Sequence, residues 1–80
     1  MISAESIKQH IETTLPCDLI HVEGEDGYHF QALIVSSEFR GKRTVQQHQM
    51  VYRALGDKMK EEIHALSIKT LTPEEWAEQS

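Results

Sequence analysis

The amino-acid sequence predicts a small α+β domain with the order α-β-β-α-α-β-α and a three-stranded mixed sheet. Near the N-terminus Ile7, Ile11 and Leu15 fall at i, i+4 and i+8, the apolar stripe of an amphipathic helix. Two runs read as strands: Tyr28-His29-Phe30-Gln31-Ala32-Leu33-Ile34-Val35 and Ile63-His64-Ala65-Leu66-Ser67-Ile68-Lys69-Thr70. Between them lies a long stretch with helix-start and helix-stop signals. Helical crossovers of that kind join parallel strands and are almost always right-handed.

Each element has its own grammar. Ser3 is placed to cap the first helix, and Pro16 ends it. Leu19 to Glu23 reads as a first strand. Gly24-Glu25-Asp26-Gly27 then reads as a hairpin turn, so the first two strands pair antiparallel. The second strand runs from Tyr28 to about Ser36. Ser37 to Arg43 reads as a loop. Thr44 and Gln47 have the spacing of a capping box that opens the second helix, which runs to about Leu55 with Gly56 as its C-cap. A short third helix covers Asp57 to Glu62, and the third strand Ile63 to Thr70. Thr72, Pro73 and Glu75 repeat the helix-start pattern for a last helix whose Trp76 is expected to dock it onto the body.

Composition narrows the function. A chain of 80 residues buries only about 60% of its unfolded surface, which leaves little room for an internal substrate cavity. The net charge of −5 argues against wholesale binding to a phosphate backbone. Arg40, Lys42 and Arg43 form the basic cluster and read as a solvated loop. The single cysteine, Cys17, excludes an intrachain disulfide and the common zinc sites that need two or four thiolates. It follows a proline at a helix end, where burial as a small hydrophobe is expected. No run has the length of a signal-peptide core or a membrane span, so a cytoplasmic location is expected. Catalysis lacks support, because no nucleophile elbow, phosphate loop or His-Glu-x-x-His pattern is present.

Histidine carries the remaining signal. His29 and His64 are each the second residue of a predicted strand, and the two strands are expected to be parallel. If the strands are neighbours in register, both imidazoles stand at one edge of the sheet. Imidazole is the commonest protein metal ligand. His48 lies four residues before Tyr52 on one helix, a spacing that reads as packing. His10 and His21 read as structural or surface residues.

The segments Tyr28-His29-Phe30-Gln31, Phe39-x-Gly41, Gln47-His48-Gln49-x-Val51-Tyr52, Ile63-His64-Ala65-Leu66 and Thr72-x-Glu74-Glu75-Trp76 together resemble the BolA family, in the same order and over almost the whole chain. The resemblance implies a class II KH-like fold. It also implies a partner, a monothiol glutaredoxin of the Cys-Gly-Phe-Ser type, with a [2Fe–2S] cluster bridging the two proteins. The glutaredoxin cysteine and glutathione would hold one side of the cluster. His64 would be a ligand on the other side, and His29 the second. Tyr28, Arg40, Lys42 and Ala65 are the residues expected to contact the partner, although Tyr28 could equally cover the core. Two histidines cannot complete a four-ligand cluster, so the chain would be a half-site and metal-poor alone. Imidazole in place of thiolate raises the potential of such a cluster.

The rival reading is a nucleic-acid-binding regulator. Domains of the KH type clamp RNA with a Gly-x-x-Gly loop, whereas the matching turn here is Gly56-Asp57-Lys58-Met59. The second helix carries Gln47-His48-Gln49 where the family often has Arg-His-Arg, so two positive charges are missing. These features predict no specific RNA binding and at most weak, salt-labile DNA binding. A gel-shift series at physiological salt tests this, and tight sequence-selective binding would promote the rival.

Overall fold

The computed structural model describes residues 3–24, 26, 29–62 and 65–79, with 57–62 and 65 described by backbone alone. Helix α1 spans Ala4–Thr14 and strand β1 Leu19–Glu23. Strand β2 spans His29–Val35, helix α2 Thr44–Glu62, strand β3 Ala65–Leu71 and helix α3 Pro73–Gln79. The sheet order is β1-β2-β3. β1 pairs antiparallel with β2, Leu19 opposite Val35 and Glu23 opposite Gln31. β2 pairs parallel with β3, from His29 opposite Ala65 to Val35 opposite Leu71. The expected mixed three-stranded sheet is present.

Alternation along β2 separates two faces. Phe30, Ala32 and Ile34 are buried, while His29 and Gln31 are exposed. The buried face packs on Ile7 and Ile11 of α1, on its C-cap Leu15, and on Val51, Ala54 and Leu55 of α2. The Ile, Leu, Val and Phe side chains among these each contribute about 1.5–3 kcal/mol when fully buried. The Ser3 side chain accepts the Ser6 backbone N–H at 3.1 Å, as an N-cap should.

Gly56 breaks the α2 span with φ 77° and ψ 167°. The two helices expected on either side of it are therefore present as two segments joined at this residue. The missing Cβ is what makes such a φ accessible.

Four local expectations require correction. The segment from Ser37 is not a plain loop: Ser37–Phe39 form a 3-10 turn, and Phe39 is completely buried. Ser36 is not a strand residue. It is fully buried, its N–H donates to Leu71 O at 3.1 Å, its hydroxyl donates to Pro16 O at 2.5 Å, and it accepts the Glu38 N–H at 3.1 Å. The α2 cap lies one residue earlier than Thr44. Arg43 O accepts the Gln47 N–H at 2.9 Å, and Gln46 Oε1 accepts the Arg43 N–H at 2.9 Å. Gln47 is turned inward instead. Its amide donates to Lys42 O at 2.9 Å and Phe39 O at 3.2 Å and accepts the Thr70 hydroxyl at 2.6 Å. A side chain occupied by two carbonyls and a hydroxyl is not available as a cap. Finally, β3 ends at Leu71, one residue later than expected. Its expected first residues, Ile63 and His64, lie outside the described residues, as does Tyr28.

The capping box at α3 is complete. Glu75 N–H donates to the Thr72 hydroxyl at 3.2 Å, and Thr72 N–H donates to Glu75 Oε1 at 2.9 Å. Trp76 is half-buried, so it covers the sheet only in part.

Gly24, just after β1, is needed for close approach. A Cβ there would collide with the Phe30 ring, which is buried in the core. Gly24→Ala is expected to destabilise the fold by about 1–3 kcal/mol, the usual range for overpacking. Chemical denaturation with an unchanged slope checks this, and wild-type stability would show that Phe30 can move aside.

Candidate functional site

His29 and Ala65 form the first rung of the parallel ladder, so β2 and β3 begin at one edge of the sheet. Adjacent strands lie about 4.8 Å apart. His64 immediately precedes Ala65 in the chain but lies outside the described residues, as does the expected partner-contact residue Tyr28. Neighbourhood and parallel direction of the two strands are as expected. His29 is the first described residue of β2, and Tyr28, expected to precede it in the strand, lies outside the described residues.

The His29 side chain is 72% exposed. It is nevertheless held at two points by Asp26. One carboxylate oxygen of Asp26 accepts the His29 backbone N–H at 2.8 Å. The other lies 2.7 Å from the ring Nδ1. An ionised carboxylate only accepts hydrogen bonds, so Nδ1 is the donor, and in the neutral ring Nε2 keeps its lone pair. Metal-binding histidines generally carry such an outer carboxylate or carbonyl on the second ring nitrogen. Reading Asp26 only as a turn residue missed this grip. The usable signal was an aspartate three residues before a strand-opening histidine.

Two of the other histidines are engaged locally. His10 Nδ1 donates to Ser6 O at 2.9 Å. His21 Nε2 lies 2.7 Å from a Glu23 carboxylate oxygen. His48 is half-buried on α2. Among the described residues no three His, Cys, Asp or Glu side chains cluster closely enough to hold a metal ion. Among the described residues this edge therefore offers one exposed imidazole, a donor type that suits iron, copper or zinc.

The basic segment divides in two. Arg40 makes a forked pair with Glu74 of α3, Nε to Oε1 at 2.8 Å and Nη2 to Oε2 at 2.5 Å. These hydrogen bonds hold the Glu74 carboxyl below the usual carboxylate range and raise the guanidinium above its ordinary value. Arg40 is thus tied to the last helix, not simply solvated. Lys42 is exposed, while its backbone is fixed by Phe39 and Gln47. On the outer face of the sheet Gln31, Leu33, Ser67 and Lys69 line a shallow depression bordered by His21 and Trp76.

Cys17, expected to be buried as a small hydrophobe, is half-buried against the core, and its thiol donates to Leu15 O at 3.1 Å. Desolvation, reinforced by the Glu12 and Asp18 carboxylates, pushes its pKa up to about 11. Residues 15–17 emerge from the end of α1, which explains the incomplete cover.

Against known proteins, residues 2–75 match the family model described as BolA-like protein. The solved structure of a bolA protein homologue from Coxiella burnetii superposes with a TM-score of 0.84 at 44% identity, covering 96% of this chain and 99% of that one. "Protein BOLA2" of Arabidopsis thaliana is 39% identical over 95% of this chain and 85% of its own length. "DNA-binding transcriptional regulator BolA" of Haemophilus influenzae is 44% identical over 65% of this chain, a match spanning half of that protein's length.

The thiol environment has a measurable consequence. From 9.0 to about 11 is a loss of roughly 100-fold in thiolate at neutral pH. Cys17 is expected to react with iodoacetamide at pH 8 about 100-fold more slowly in the folded chain than in denaturant. A thiol pKa raised by folding stabilises the fold fully below about pH 9, and this contribution is lost as pH rises toward 11. Cys17→Ala is therefore expected to flatten the alkaline fall in stability. Equal alkylation rates in folded and unfolded chains would contradict this.

Proposed function

The chain belongs to the BolA-like protein family, and from that premise we propose that it is a non-enzymatic iron–sulfur accessory protein that shares a bridging [2Fe–2S] cluster with a monothiol glutaredoxin of the Cys-Gly-Phe-Ser type. The carrying observation is the parallel register that sets His29 opposite Ala65, the residue joined to His64. In this reading His64 and His29 are the two imidazole donors, and the partner's cysteine with glutathione provides the thiolates. The cluster is cargo or signal, and its role is trafficking or iron sensing in the cytoplasm. Of the expected partner contacts, Tyr28 and Ala65 adjoin that edge in the chain, whereas Lys42 and the Arg40–Glu74 pair follow Val35 and Leu71 at the opposite end of the parallel ladder and are left out of this partner face.

Ligand count supports sharing. The reading counts two donors from this chain, the exposed His29 imidazole and His64 at the position adjoining Ala65. A cluster of this kind needs four. Each imidazole would bind through a nitrogen lone pair, and Asp26 already occupies Nδ1 of His29, which leaves Nε2. The alternative, DNA binding, is favoured by the printed name of the Haemophilus relative. It is weakened by the net charge of −5 and by the engagement of Arg40 with Glu74.

Visible circular dichroism of the chain mixed with holo-glutaredoxin and glutathione tests the reading. The chain alone is expected to be colourless and iron-poor, and the mixture to show a bridged-cluster spectrum. His64→Ala is expected to abolish that spectrum, and His29→Ala to weaken or alter it. His29→Cys is expected to keep binding while shifting the spectrum toward the all-thiolate type at lower potential. A folded His64→Ala variant giving the wild-type spectrum would falsify the assignment.

A further inference from the structure

We propose that Asp26 is a positioning residue for the His29 donor, selecting the ring tautomer that leaves Nε2 unprotonated and toward ligand; this rests on the reading of His29 as a cluster ligand. The basis is the two-point grip. One Asp26 oxygen takes the His29 backbone N–H at 2.8 Å and the other the ring Nδ1 at 2.7 Å. The first contact locks the start of β2 relative to the preceding segment. The second fixes the rotation of the imidazole relative to that backbone. A free imidazole would divide its proton between two nitrogens, and only the Nδ1–H form leaves Nε2 as a lone-pair donor. Nε2 can then bind iron without losing a proton from the ring. With 72% of the side chain exposed, the Asp26 carboxylate is the hydrogen-bonding restraint on the ring among the described residues. The acceptor also increases the basicity of the ligand, as outer carboxylates do in metal sites.

His21 offers a contrast on the neighbouring strand. Its Nε2 is the nitrogen held by Glu23, at 2.7 Å. The two carboxylate–imidazole pairs therefore present opposite ring nitrogens. Only the His29 pair presents Nε2 at the edge where β2 and β3 start together.

Two measurements on two systems test the proposal. In the isolated, cluster-free chain, long-range proton–nitrogen NMR is expected to show His29 protonated at Nδ1 in its neutral form. Asp26→Asn keeps a side-chain oxygen for the backbone N–H, so the fold and melting temperature are expected to stay unchanged. The ring is expected to lose its single tautomer. In the glutaredoxin and glutathione mixture, the Asp26→Asn cluster is expected to be held about 10- to 100-fold more weakly against a chelator, the usual effect of removing an outer-shell partner. His29→Ala provides the reference. An Nε2-protonated ring in the wild-type chain overturns the positioning role directly. So does a full-strength cluster in Asp26→Asn beside a weakened one in His29→Ala. A cluster unaffected by His29→Ala overturns the ligand reading itself, and the proposal falls with it.

Discussion

Parallel strands cannot be joined by a tight turn, so the pairing of β2 with β3 depends on everything that happens between residues 36 and 64. Among the described residues of that interval a 3-10 turn is followed by two helical segments joined at Gly56, and Val51, Ala54 and Leu55 of the first lie in the core. The crossover delivers Ala65 opposite His29. Without it the two strand mouths would have no reason to coincide. The candidate site is in this sense a by-product of core packing on the other face of the sheet.

The crossover is secured at its far end by two buried polar side chains. Ser36 joins the end of β2 to Leu71 and Pro16. Gln47 joins the turn carbonyls of Phe39 and Lys42 to Thr70 on β3. Among the described residues no buried side-chain nitrogen or oxygen lacks a partner. Such groups stabilise only when all their bonds are made, since an unsatisfied buried amide costs about 1–3 kcal/mol. The basic segment that includes Lys42 is thereby held by the same network that anchors β3. Arg40 adds a tie to α3 through Glu74.

Much of this was legible in the sequence. The stripe of Ile7, Ile11 and Leu15, the bounds of β1, the Thr72–Glu75 capping box and the break at Gly56 all follow from local rules of spacing and backbone freedom. The parallel relation of the two strands followed from the length and character of their connection. What escaped were features decided by tertiary contact. Phe39 looked like a loop residue because nothing in Ser37 to Arg43 has a periodicity, yet it fills the core. Gln47 had the right spacing for a cap, but the buried carbonyls claimed it and Gln46 took that role. Asp26 carried turn chemistry in its identity, and only the folded strand start shows that the same carboxylate reaches an imidazole. The roles of His64 and Tyr28 were drawn from motif, beyond what local rules supply.

One feature of β2 bears on how such a protein could change over time. Phe30 is 2% exposed in the core, and the neighbouring His29 faces outward. Since side chains alternate in a strand, consecutive positions answer to separate demands. Position 30 is judged by volume, and position 29 only by what its side chain can bind. A substitution that replaced the imidazole with a thiol or an inert group would remove the contact to Asp26 but leave the core packing untouched. The chemistry displayed at this edge is therefore free to change one residue away from a side chain held by the core.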